Sequence, residues 1–265
     1  MKKSAYLVLL ILLITACKNE YKAESTVIET VKKADITTSI YPVSITKVFN
    51  AHGGIDIWNK MQTLSFTMVN PNGKEVTTTN LKTRAELIDT PTYTMGYNGS
   101  ELWVNEKDDN EYKGNAKFYK GLMMYFYTMP LIVGDEGVIY KDTEPLVFEG
   151  KTYPGILISY EAGVGASSDD QYIIYYDPES GQMQWLGYTV TFGKDKKSKD
   201  FHFIRYNNWQ TVNGLVLPKS MDWYTYENNV PVKKRNRIEF TNISVSEKAP
   251  DARLFLIPEG AKVVE

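Results

Sequence analysis

Between Thr63 and Val104 apolar and polar residues alternate. Leu64, Phe66 and Met68 share one parity with Ser65 and Thr67 between them, which is the period of a strand with one buried face. Similar short runs occupy 76–81, 84–88, 93–97 and 101–104. Asn72-Gly73 and Asn98-Gly99 lie in this stretch, and Asn-Gly marks a tight hairpin because both residues accept positive φ. An antiparallel meander is predicted.

The preceding pattern is helical. Ile45, Val48, Phe49 and His52 follow Pro42 at spacings of three or four and end at Gly53-Gly54, where glycine suits a left-handed C-cap. A second short helix is predicted over 55–61. The run 116–129 interrupts the strands with Phe118, Tyr119, Leu122 and Met123, then Met124, Tyr125, Phe126, Tyr127 and Met129, and ends before Pro130. A helix that is apolar nearly all round must be surrounded by protein or ligand. Strands resume over 138–141, 146–148, 155–160, 172–176, 182–192, 201–210, 215–226 and 237–245, with turns at 177–181 and 212–214. In 172–176 and 201–206 neither parity is polar, so both sheet faces are covered there. The fold class expected is mainly β (α+β), a strongly curved antiparallel sheet of about eleven or twelve strands around a helix.

The N-terminus predicts an address. Lys2 and Lys3 precede an apolar run over 7–14 that is too short to span a bilayer, and Leu13-Ile14-Thr15-Ala16-Cys17 has the form of a bacterial lipobox. Residues 1–16 read as a lipoprotein signal peptide, and Cys17, the sole cysteine among 265 residues, as the site of acylation by palmitate-length chains. A lone thiol in an oxidising compartment has no intramolecular partner, and acylation consumes it. Residues 17–41 read as a flexible tether and 42–265 as one domain. No aspartate follows Cys17, which favours the outer membrane over inner-membrane retention.

Charge and chemistry remove other classes. Thirty Lys and Arg against 32 Asp and Glu leave no electrostatic footprint for nucleic acid. His52 and His202 are the only histidines. His52, in the last helical turn, is expected to be partly protonated against the helix dipole, and His202 to be an ordinary strand residue. Neither lies in a hydrolase or zinc-protease motif. Asp108-Asp109-Asn110-Glu111 and Ser167-Ser168-Asp169-Asp170 have loop composition without calcium-loop spacing, and 194–199 reads as a polar hairpin tip. No metal, no cofactor and no catalytic residue is expected.

The methionine-rich helix is the segment with a functional bias, because flexible, polarizable thioethers suit variable apolar partners. Phe118, Leu122, Met123, Phe126 and Met129 are its candidate ligand-binding residues, with Trp185, Tyr188 and Trp223 from the strands. The bland alternative is a core helix that fills a curved sheet.

Ala51-His52-Gly53-Gly54-Ile55 with Trp58 and Met61, the hairpin Tyr175-Tyr176-Asp177-Pro178-Glu179-Ser180-Gly181, and the stretch from Leu254-Phe255 to Pro258-Glu259-Gly260 resemble the outer-membrane lipoprotein-sorting group, the LolA/LolB half-barrels. Asn208-Trp209, Thr211-Val212-Asn213-Gly214-Leu215 and Leu217-Pro218 are similar, more narrowly, to a branch of uncharacterised Bacteroidetes lipoproteins. Over roughly residues 42–260 the resemblance implies about eleven antiparallel strands curved over a helical plug around an apolar cavity. It implies binding of a lipid or other amphiphile by a membrane-anchored carrier, receptor or sensor. The alternatives are an envelope module with a self-filled core and a protein partner and, third, an enzyme acting on lipid or glycan.

Overall fold

In the computed structural model, which describes residues 40–70, 73–108, 111–161, 169–192 and 198–265, Leu64, Phe66 and Met68 form the buried face of β1 (Thr63–Asn70). β2 (Gly73–Asn80), β3 (Glu86–Asp89), β4 (Tyr93–Tyr97) and β5 (Leu102–Glu106) continue the antiparallel meander. A second meander comprises β6 (Val138–Phe148), β7 (Lys151–Tyr160), β8 (Tyr172–Tyr176), β9 (Met183–Tyr188), β10 (His202–Val212) and β11 (Leu215–Glu227). β12 (Val230–Ser246) joins the two, pairing with β11 along its first part and with β1 from Phe240 to Ser246. The two-residue β13 (Lys262–Val263) pairs with β5. Among the described residues the result is one open sheet of 13 strands, ordered β13-β5-β4-β3-β2-β1-β12-β11-β10-β9-β8-β7-β6.

α1 (Val43–Ala51) buries Ile45, Val48 and Phe49 as its spacing predicts, and α2 (Ile55–Lys60) buries Trp58. The long helix expected over 116–129 is instead three short pieces, α3 (Ala116–Tyr119), α4 (Leu122–Tyr127) and α5 (Met129–Ile132). Gly121, at φ 74°, takes a left-handed conformation that ends the first piece. Pro130 stands in the first turn of α5, where its missing N–H is no loss, so it starts a helix rather than stopping one.

Residues 119–133 touch ten consecutive strands. Tyr119 Oη donates to Glu75 on β2 at 2.7 Å, and Glu86 on β3 accepts from Gly121 N at 2.7 Å. The Tyr127 ring packs on Phe66 of β1 and Phe240 of β12. Phe126 meets Trp223 of β11 and Tyr188 of β9, and its carbonyl accepts from Tyr206 of β10 at 2.8 Å. Tyr125 reaches Tyr172 of β8 and hydrogen-bonds Tyr160 of β7; Tyr140 of β6 donates to Val133 O. Ten strands side by side would span about 43 Å if flat. Fifteen helical residues span only about 22 Å. The sheet therefore bends around this segment, which is the half-barrel over a plug that the alternation and the resemblance predict.

His52 ties α1 to the sheet, and here the expected protonated role is corrected. The imidazole is fully buried, Nδ1 lies 2.9 Å from Val216 O, and Nε2 accepts from Met183 N at 3.0 Å. One nitrogen faces a carbonyl and the other an N–H, so the neutral Nδ1–H tautomer fits and a second proton does not. Burial lowers its pKa from 6.5 to about 4. NMR of the His52 imidazole should show no titration between pH 8 and 5; a midpoint near 6.5 would overturn the assignment.

The outer face is covered in two places. Trp103 of β5 lies under the turn Ala252–Phe255 and donates from Nε1 to Phe255 O at 3.2 Å. Leu146, Tyr153, Ile173, Tyr175, Trp185 and Phe203 form a second apolar cluster, separate from the main core. Trp185 therefore stands away from the plug, contrary to its expected place in a pocket wall. The β8–β9 register explains this: Tyr175 pairs with Trp185 but Tyr176 with Met183, so Gln184 is an extra residue that turns Trp185 outward.

Candidate functional site

A cavity of about 430 Å³ opens beside the plug, between the α3–α4 junction, α5, and the inner faces of β6, β7 and β8. Asn115 caps α3, its Oδ1 accepting from Phe118 N at 3.0 Å, and so sets Phe118 at the rim against Phe192. Leu122, Met124 and Tyr125 of α4 and Ile132 of α5 supply the plug side; Val138, Tyr160 and Tyr172 supply the sheet side. Burial pushes the Tyr160 and Tyr172 hydroxyls well above the ordinary tyrosine range, as a water-poor wall requires. Asp170, also at the wall, is fixed by Thr191, whose N and Oγ1 donate to it at 2.7 and 2.8 Å.

The rim is charged. Arg84 lies in the turn after β2, where Asn80 Oδ1 accepts from the backbone N–H of Lys82 and Thr83. Its φ of 60° places it outside the strand predicted over 84–88, which begins at Glu86. Arg84 pairs through Nη2 with Asp135, whose carboxyl burial raises in pKa and the guanidinium lowers, burial being the larger effect. Lys117 and Lys120 stand at the other side. A second cavity, of about 410 Å³, adjoins the first and shares Arg84, Asp135 and Glu136 with it. Trp58, Met61 and Leu81 line it beneath a polar mouth that includes Asn59 and Lys82.

Of the residues singled out by sequence, Phe118 and Leu122 line the apolar cavity. Met123, Phe126 and Met129 are buried in the main core behind it. Phe126, Tyr188 and Trp223 meet one another, with Tyr188 stacked on His202, but they stand apart from the cavity lining. Trp185 lies in the outer cluster. Sequence reasoning missed Tyr160, Tyr172, Val138 and Ile132 as lining residues. It also missed Arg84 and Asp135, whose signal was an ordinary-looking pair of charges beside turns.

Among the described residues no cluster of three or more His, Cys, Asp or Glu is placed to hold a metal. Both ring nitrogens of His52 are engaged by backbone. His202 Nε2 lies 3.5 Å from the Tyr226 hydroxyl, which donates to Asp200 at 2.9 Å. The signal peptide, Cys17, most of the tether, Asn72, Asp109-Asn110, Ser167-Ser168 and most of 194–199 lie outside the described residues.

The sequence profile of DUF6503, a family of unknown function, matches residues 3–239. The chain belongs to this family. No curated protein matches it. Solved structures similar to it include a DUF1329 family protein from Desulfovibrio piger, 11% identical with a TM-score of 0.48, covering 80% of this chain and 95% of that one. A LolA superfamily protein from Nitrosomonas europaea is 7% identical with a TM-score of 0.48, covering 82% and 99%. A putative outer membrane lipoprotein-sorting protein domain from Vibrio parahaemolyticus is 8% identical with a TM-score of 0.38, covering 77% and 97%.

Proposed function

We propose that this DUF6503 chain binds a lipid or other amphiphile in the cavity beside its plug, as a non-catalytic carrier, receptor or sensor. One observation carries the reading: about 430 Å³ stands open between plug and sheet, walled by Leu122, Met124, Ile132, Val138 and Tyr172 and rimmed by charge. That volume falls within the usual range of small-molecule sites, about 300–1,000 Å³. An apolar wall with a polar mouth suits a molecule of the same division.

Energetics fit exchange rather than storage. Each buried methylene contributes about 0.8 kcal/mol relative to water but almost nothing relative to a bilayer. A pocket held near a membrane can therefore load and unload without a chemical energy source. Acylation of Cys17 would hold it there, and the outer membrane is the location this reading expects. The anchor, the ligand and the location form one proposal.

A specific observation also favours the second reading, an envelope interaction module. Met123, Phe126 and Met129 fill the interior behind the cavity with the chain's own side chains. Native mass spectrometry of the full chain purified from membranes, and of its Cys17→Ala variant, separates the two. Carrier function predicts an adduct of lipid mass near one per chain and a shift of Cys17→Ala to the soluble fraction. Ligand-free protein that also takes up no added amphiphile would leave the interaction module.

A further inference from the structure

The two cavities share Arg84, Asp135 and Glu136, and the first of these side chains has an unmet bond. Arg84 lines both, and Asp135 occupies its Nη2. Its Nη1 is buried and has no hydrogen-bond partner among the described residues. A guanidinium presents a rigid planar fork, so satisfying one edge leaves the other still directed at a neighbour. The backbone at φ 60° is a conformation L-residues rarely adopt, and the Asn80 turn holds it there. Around the two cavities the described residues set four cationic side chains, Lys82, Arg84, Lys117 and Lys120, against three carboxylates.

We infer that the polar cavity is the head-group compartment of the same ligand, and that the free edge of Arg84 receives an oxyanion head, a carboxylate or a phosphate. The inference rests on the amphiphile reading above and narrows it to single-tailed anionic amphiphiles. The tail lies in the apolar cavity among Leu122, Met124 and Tyr172. The head sits against Arg84 with Lys82 nearby, and its oxygen supplies the acceptor that Nη1 lacks. Asp135 stays on Nη2 and holds the guanidinium in place. A negative head also offsets the local excess of positive charge.

Calorimetric titration of the full chain carrying Cys17→Ala tests this with laurate, dodecyl phosphate and dodecanol, each below its aggregation threshold. At least one oxyanion should bind about ten-fold more tightly than dodecanol, the worth of a charge-assisted hydrogen bond in a half-buried site. Whether laurate or dodecyl phosphate leads identifies the source of the oxyanion. Arg84→Gln and Arg84→Gly should each shrink that preference to less than about three-fold. Glycine suits the left-handed backbone, so the second variant folds even if the first does not. Equal affinity for all three heads, or a preference kept in the folded variants, overturns the Arg84 assignment and leaves amphiphile binding standing. No binding of any probe overturns both.

Discussion

Phe126→Asp leaves no folded chain, whereas Phe118→Asp folds and loses ligand. Phe126 is 4% exposed, packs on Tyr188 and Trp223, and has its carbonyl tied to the buried Tyr206 hydroxyl. Truncating a packed phenylalanine costs about 3–5 kcal/mol, and an unpaired buried carboxylate adds several more. Together these approach the whole stability of an ordinary domain, about 5–15 kcal/mol. Phe118 is 37% exposed at the rim, so an aspartate there stays in water and costs about 1 kcal/mol or less. Circular dichroism melts should show no cooperative transition for Phe126→Asp and a near-normal one for Phe118→Asp. Native mass spectrometry should show less bound amphiphile in the latter. A cooperative melt for Phe126→Asp would mean that α4 lies outside the core.

Glu86→Gln should stabilise the protein by about 3 kcal/mol at pH 8 and change little at pH 4.5. Glu86 is 3% exposed on β3 and accepts from Gly121 N at 2.7 Å, an acceptor role that glutamine can also fill. Burial raises its pKa from 4.5 to about 7, against the hydrogen bonds that lower it. Because the folded value is the higher one, the folded chain holds a proton between pH 4.5 and 7 that the unfolded chain has lost. Folding therefore weakens as pH rises through that window, by roughly 1.36 kcal/mol per unit.

His52 works in the opposite sense. Its lowered value means stability is full above pH 6.5 and lost as pH falls towards 4. The two opposed slopes overlap between pH 4.5 and 6.5 and offset each other in the wild type. The variant removes one of them, so its stability should fall with acidification over that interval. Urea titrations at several pH values give the difference directly. A difference near zero at pH 8 would show that the Glu86 carboxylate reaches water.

Where one parity of a strand is polar, the sequence shows it. Leu64, Phe66 and Met68 declared β1, and Ile45, Val48 and Phe49 declared α1. The Asn213-Gly214 turn also reads directly, both residues having positive φ between β10 and β11. The Asn228-Asn229 turn between β11 and β12 has the same left-handed pair without a glycine to mark it, so the strand predicted over 237–245 starts seven residues after the observed β12, which begins at Val230. In β8 the alternation is real but hidden, since Tyr172, Ile174 and Tyr176 join the plug side while Ile173 and Tyr175 join the outer cluster. Covering both faces removes the polar parity that would tell them apart, and with it the cavity wall. Trp185 needed the position of a bulge that no residue pattern marks. Glu75 and Glu86 face inward because the plug offers them Tyr119 Oη and Gly121 N, partners invisible along the chain.

The β1–β12 seam governs how the chain is assembled. Thr67 and Thr241, hydrogen-bonded across it, are 174 residues apart, so a ribosome finishes β1 long before its neighbour exists. Until then the β1 edge offers unpaired N–H and C=O groups to any passing strand. Closure must also await the plug, because residues 119–133 touch strands on both sides of the seam. Such long-range pairing makes for slow folding, with the first five strands waiting on the last long one. The newborn chain needs shielding for most of its synthesis, and its final long strand is the clasp that ends the exposure.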